Sequence, residues 1–373
     1  MEQQVLYQMA LTRIKGIGPA YTKKLIGHFG DAAAVFHAKK ESLHAIDMKD
    51  DLATEILHFR GYDELRAELR NLEKKGARPL FFTDAGYPGR LLQTADSPCL
   101  LFYTGNANLN AKRILAVVGT RRPSEYGRQV TAQLIRQLAQ QDVLVISGLA
   151  LGIDTAAHKA ALKEHLPTVG ILGHGFGHLY PPENASLAAA MLKNGGLLTS
   201  FAYHAKPEYY HFPARNRLVA ALCDAVLVVE TGRKGGSLLT VEDARKYDRK
   251  VFAVPGRITD TCSAGCNWLI RQGLADMLTS ADQLQAALGW NWPAGEAGVQ
   301  AALPLAFPAG RNAEESLLNL LRTKESLSID ELTGHSGLAP SAVAMVLLNL
   351  ELRGLISALP GKRYRYNAAL VRA

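Results

Sequence analysis

The chain has 373 residues, 48% hydrophobic and 20% charged, with a mean hydropathy of −0.02. This length and balance predict a globular chain of two or three domains, without a secretory signal in MEQQVLYQMALTRIKG and without an apolar run of the ~18 residues that span a bilayer. Lys and Arg outnumber Asp and Glu by 42 to 34, a formal charge of +8 that suits a polyanionic partner without requiring one.

Residues 1–80 predict a small helical domain. Val5, Leu6, Met9, Leu11 and Ile14 have helix-like apolar spacing, interrupted at Gly16-Ile17-Gly18, and Tyr21 to Phe29 resumes it. Ile14-Lys15-Gly16-Ile17-Gly18 followed by Lys23-Lys24 has the form of a helix-hairpin-helix or SAM-like unit. Such a turn can grip a DNA phosphate, and it serves equally as a structural or protein-binding unit. Tyr62 to Lys75 is a charged amphipathic helix that ends at Gly76.

From residue 81 to 289 an α/β pattern takes over. Apolar runs ILAVVG (114–119), VLVISG (143–148), TVGILG (168–173), GLLTS (196–200), AVLVVE (225–230) and KVFAVPG (250–256) alternate with helical stretches such as Tyr126–Gln140, Ala156–Glu164, Glu183–Asn194 and Leu238–Tyr247. Continuous apolar strands separated by helices predict an extended Rossmann-like parallel sheet covered on both faces. Residues 290–312, rich in Pro, Ala and Gly, read as a linker. Residues 313–373 predict a winged helix: helices over Ala313–Thr323, Ser328–Gly334 and Ser341–Arg353, then two short strands around Pro360-Gly361.

The candidate chemistry lies at the strand ends. Gly119-Thr120-Arg121 follows the first parallel strand, Ser147-Gly148 ends the second, and Gly173 ends the third, ahead of His174-Gly175-Phe176. Ligands of open parallel sheets sit there, and glycine admits a phosphate close to the backbone; the alternative is a plain tight turn. Lys206-Pro-Glu-Tyr-Tyr-His-Phe212-Pro-Ala-Arg215-Asn216-Arg217 interleaves cations with aromatic rings before a helix that starts near Ala214. Cations neutralise phosphates and a ring can stack an unpaired base, although Phe212 could equally plug the core. Gly236-Ser237 opens another helix as an anion site or an ordinary cap.

No dinucleotide or P-loop glycine pattern occurs. Asp154 and His158 lie four apart without an activated nucleophile and read as a buried hydrogen-bonded pair. His174, His178, His204 and His211 lack metal spacing, and Cys262 and Cys266 lack a second pair. Neither an enzyme nor a cofactor is therefore expected, and the few unpatterned cysteines suggest a reduced cytoplasmic setting. The third winged-helix segment has no Arg, Lys, Asn or Gln in its first turns, which argues against direct base readout and leaves Lys362, Arg363 and Arg365 of the wing as contacts.

Taken together, VVGTRRPSEYG (117–127), SGLALGIDTAAHKAAL (147–162), YPPEN (180–184), FPARNRLVAAL (212–222), VVETGRKGGSLLT (228–240) and VFAVPG (251–256) resemble the DprA/Smf family of bacterial DNA-processing proteins. The resemblance covers about residues 1–280. It implies a homodimeric protein that binds and protects single-stranded DNA and helps load the RecA recombinase during natural transformation. By motif, Arg121, Lys206, Phe212, Arg215 and Arg217 match the family's cations and aromatic. The segment after Ser200 departs from the pattern, with Phe201 where an acidic residue is usual, and so does His174 in the third loop. The rival reading is a phosphoribohydrolase of the lysine-decarboxylase-like type. Its Pro-Gly-Gly-x-Gly-Thr loop is only distantly echoed by Gly235-Gly236-Ser237 with Glu242.

Overall fold

A computed structural model of the chain describes residues 2–290, 311–324, 326–352, 355–359 and 363–367. They fall into two compact units, Met1–Trp292 and Pro293–Ala373. Most of the expected linker, residues 291–310, lies outside the described residues, as do Pro360, Gly361 and Lys362.

The first unit is built on nine strands: β1 Arg78–Phe81, β2 Leu100–Gly105, β3 Arg113–Val118, β4 Val143–Ser147, β5 Thr168–Ile171, β6 Gly195–Thr199, β7 Ala225–Val228, β8 Lys250–Ala253 and β9 Asp276–Met277. Their order across the sheet is β1-β2-β6-β5-β4-β3-β7-β8-β9. All pairs from β6 to β9 are parallel, with Leu115 of β3 opposite Val145 of β4 and Ala225 of β7. The six runs read from the sequence thus form β3 to β8, each ending one to three residues before its expected end. The parallel sheet has an extension that the sequence did not lead us to expect: β2 pairs antiparallel with β6, and β1 antiparallel with β2.

Strands buried on both faces need a helical layer on each. Helices 211–222, 237–246 and 264–271 bring Leu218, Val241 and Leu269 onto one face, against Ile114, Ala116 and Val226. Helices 125–137, 153–163 and 281–288 bring Leu134, Ala157 and Leu284 onto the other, against Leu115, Val117 and Leu227. The glycine turn after helix Glu2–Arg13 leads into helix Pro19–Phe29, as the hairpin pattern predicts. The helical segment does not stand apart: Leu6, Leu25 and Leu72 share a continuous core with Phe81, Phe102, Leu172 and Leu197. Glu68 fastens the two parts, pairing with Arg13 at 2.8 Å and accepting from the Tyr203 N–H at 2.7 Å.

The second unit is a winged helix with helices Arg311–Thr323, Ile329–Ser336 and Pro340–Leu352 and strands β10 Leu327–Ser328, β11 Ile356–Leu359 and β12 Arg363–Tyr366, ordered β10-β12-β11. Its middle helix starts on a capping box between Ser328 and Glu331. Among the described residues, no helix is long and apolar enough to cross a membrane.

Candidate nucleic-acid interface

Strand β3 lies between β4 and β7, and the chain leaves it toward β4 and later returns on its other side. The carboxyl end of β3 is therefore a topological switch point, where neighbouring loops diverge and open a crevice. Gly119, Thr120 and Arg121 sit at this point, and the Thr120 N–H donates to the carbonyl of Glu230 beyond β7 at 2.7 Å. The loops after β3, β4 and β5 meet the start of helix His211–Leu222 in a notch of about 30 Å³. Its lining includes Arg121, Gly148, Gly173, Tyr180, Phe212 and Arg215. Five of these six were singled out in the sequence. So small a volume has room for water but not for a nucleotide, and any larger ligand lies across the mouth.

Phe212 is half-buried and belongs to the notch, outside the hydrophobic clusters of the core. The guanidinium carbons of Arg121 and Arg215 lie 5.6 and 5.8 Å from its ring centroid, within cation–π range. Tyr180, marked in the sequence only as part of the YPPEN motif and given no role there, stands 6.0 Å from it with ring planes inclined at 48°. The helix begins at His211, three residues earlier than expected, with Pro213 in its first turn where a missing N–H costs nothing. This places Phe212 and Arg215 one turn apart on the same face.

The two arginines have different situations. Arg121 is exposed, whereas Arg215 is 5% exposed and donates to the carbonyls of Gly148 and, at 3.0 Å, Ile171. Its Nε donates to Asn216 Oδ1 at 3.0 Å. Asp154, beneath the notch, accepts from the N–H groups of Gly148 and Ala150 at 3.1 and 3.3 Å. Burial pushes the Asp154 carboxyl up from its usual range, and the Arg215 charge opposes that shift. Burial likewise lowers the Arg215 guanidinium, with Asp154 countering it. The Gly148 amide, expected to face a phosphate, is thus committed to Asp154, and the accessible cation of the notch is Arg121.

Close approach requires glycine at position 148 and leaves little room for a side chain at position 173. A Cβ on Gly148 would overlap Nη1 of Arg215, and one on Gly173 would lie 3.0 Å from Phe212 Cδ1. The Asp154–His158 pair expected from the sequence is corrected. Both are buried, but each binds elsewhere, His158 through Nδ1 to Thr168 Oγ1 at 2.7 Å. Burial drives the His158 imidazole down to about 3, so it is neutral. His174 is also lowered by burial. Its Nδ1 donates to the Gly175 carbonyl at 3.0 Å and its Nε2 accepts from the Tyr180 N–H at 3.2 Å. This ring, bonded at both nitrogens, holds the loop that presents Tyr180.

Other candidate residues are placed away from the notch. Ser147 is fully buried and donates to the Val117 carbonyl at 2.6 Å, clipping β4 to β3. Phe176 packs in the core that the helical segment shares with the sheet. Lys206 is exposed in the loop after β6, its carbonyl accepting from His211 Nδ1 at 2.9 Å. Arg217 is exposed near Asp243, toward helix Ser237–Lys246. Gly236 is exposed, and the Ser237 hydroxyl donates to Thr231 Oγ1 at 2.8 Å, beyond β7. In the wing, Arg363 is turned onto Ser326 and Glu331, while Arg365 is exposed.

The family profile for DNA recombination-mediator protein A matches residues 78–289, and that for the DprA winged helix domain matches residues 301–362. Protein Smf of Synechocystis is 30% identical over 96% of this chain and 98% of its own length. Protein Smf of Escherichia coli is 38% identical over 76% of each. The chain belongs to the DprA/Smf family. The DprA crystal structure from Streptococcus pneumoniae superimposes with a TM-score of 0.66 at 31% identity, covering 75% of this chain and 97% of that one. The DprA structure from Helicobacter pylori, described for its single-stranded DNA binding mode, gives 0.52 at 30% identity over 57% of this chain and 95% of its own. Around the loop distantly like that of phosphoribohydrolases, Glu242 is exposed, its neighbour Asp243 is paired with Lys246 at 3.5 Å, and Glu230 is committed to the N–H and hydroxyl of Ser124 at 2.9 and 2.5 Å.

Proposed function

We propose that the chain binds single-stranded DNA without sequence preference, through the notch at the carboxyl ends of β3, β4 and β5. The observation that carries this reading is the half-buried Phe212 ring, with guanidiniums 5.6 and 5.8 Å away, at a sheet switch point. A duplex keeps its bases stacked on each other; an unpaired base is free to lie across Phe212 and the inclined Tyr180 ring. Base–ring stacking is indifferent to sequence because every base has a π-face. Arg121, resting on the ring in the free protein, is the cation available to a phosphate, and buried Arg215 holds the strand ends and adds fixed positive charge. Single-stranded DNA binding by the related Helicobacter pylori DprA supports the same ligand class.

The finer elements of the proposal follow the family resemblance. The protein protects the strand and promotes RecA loading during transformation, acts as a homodimer in the cytoplasm, and performs no chemistry on the DNA. The test is a salt titration of single-strand binding. Neutralising each phosphate releases counterions, so log K should fall linearly with log salt, at about −0.7 per phosphate contact. Affinity that stays flat between ~50 and ~300 mM salt would contradict a phosphate grip.

A further inference from the structure

A second depression opens directly beside the notch, between helices Glu125–Gln137 and Ile153–Lys163. Its volume is about 640 Å³, and Arg121 and Leu151 line both it and the notch. Arg122, Arg128, Lys159 and Lys163 complete its cations, and no carboxylate lines it. Small residues, among them Ala132, Ala156 and Ala160, form much of the remaining lining. Arg128 is paired with Glu125 at 3.1 Å, while Arg121, Arg122, Lys159 and Lys163 carry no ion pair among the described residues. Clustered cations repel one another, and their unpaired accumulation along one groove is a cost that an anionic ligand relieves.

We propose that this groove carries the sugar–phosphate backbone of the strand onward from the notch, so that the DNA turns over Arg121 and runs along helix Ile153–Lys163. The proposal rests on the reading of the notch as a single-strand site. Lys159 and Lys163 are one helical turn apart, on the order of 6 Å along the axis, a spacing that meets successive phosphates of an extended strand rather than a single anion. Small lining residues leave room for a backbone to lie low between the two helices. Continuity with the notch favours nucleic acid over an acidic protein segment, which would have no reason to begin at Arg121.

Fluorescence anisotropy with labelled oligothymidylates of about 6 and about 20 nucleotides, the first near the lower end of one domain's usual single-strand footprint and the second beyond its upper end, tests it. In Lys159→Ala/Lys163→Ala, affinity for the long strand should fall about tenfold and its salt slope by about 1.4, two contacts' worth. The short strand should bind as to the wild-type protein. Arg121→Ala should weaken both lengths, and Lys159→Arg/Lys163→Arg should restore the long-strand affinity. Unchanged long-strand affinity and slope in the double alanine variant would overturn the groove while leaving the notch intact. Equal losses at both lengths would also overturn it, showing a general field rather than a track. If the wild-type protein binds neither length, the notch reading itself has failed, and the groove falls with it.

Discussion

Phe212 stands where the single-strand reading is most open to test, because a ring at a pocket rim could serve either the fold or the ligand. Its half-buried position, outside the core clusters, separates the two roles. Phe212→Ala is expected to weaken single-strand binding by about 1–3 kcal/mol, the usual worth of a base–ring stack, with an unchanged melting temperature. A variant that loses its cooperative melt would show the ring to be core. Arg121→Ala should weaken binding to all sequences alike and lower the salt slope by about 0.7, since a phosphate contact carries no base information. Anisotropy on homopolymer and mixed strands checks both effects. At this scale the sequence indicated residue types better than it indicated their surroundings. The run from Lys206 to Arg217 pointed to cations and a ring, but no local pattern distinguishes exposed Arg121 from Arg215, whose guanidinium is absorbed by the carbonyls of Gly148 and Ile171. Tyr180 was marked only as part of the YPPEN motif, because its loop reaches Phe212 only through the fold.

Helix Ile153–Lys163 links the notch to the sheet, and its stability has a pH signature. His158, held near 3 in the folded protein, has an ordinary value of 6.5 once unfolded. Between those values the unfolded chain binds a proton that the folded chain refuses, so stability falls as pH drops below about 6.5, by at most ~1.4 kcal/mol per pH unit. Above 6.5 the contribution is fully present and flat. Urea unfolding at pH values of about 7.5 and about 5 should therefore show a larger loss in the wild-type protein than in His158→Asn. Equal losses in the two proteins would mean that the imidazole is not the titrating group. Gly173→Ala is a second test of the strand-end geometry. Its Cβ would lie 3.0 Å from the Phe212 ring, so single-strand affinity should fall while the melting temperature holds. Periodicity identified β3 to β8 because a strand buried on both faces is a continuous apolar run. It missed β2, Leu100–Gly105, although five of its six residues are buried, since no helix separates it from β3 and nothing local announces an antiparallel partner.

At the scale of the whole molecule the chain forms two units, and the notch lies in the first of them. The cations and ring of the notch all belong to the first unit, and the first turns of helix Pro340–Leu352 expose Met345 and Leu348, with Asn349 and Glu351 confined to its C-terminal end. A chain truncated to residues 1–290 is expected to keep single-strand affinity within about threefold of the full protein, well under the 1.4 kcal/mol of a tenfold change. A large loss by anisotropy would move part of the site to the wing. At this scale the order of motifs was sufficient to indicate the family, since each lies where a strand or helix begins or ends. The shared core of the helical segment and the sheet was not legible, because it joins residues as far apart as Leu6 and Leu197. The central claim is that unpaired nucleotides bind across the mouth of the notch, on Phe212. It is tested most directly by comparing one oligonucleotide, single-stranded and annealed to its complement, in a gel-shift titration with the wild-type protein and Phe212→Ala. The wild-type protein is expected to bind the single strand more tightly, and the variant to lose most of that preference. Equal or tighter binding of the duplex, or a preference untouched by Phe212→Ala, would contradict the claim.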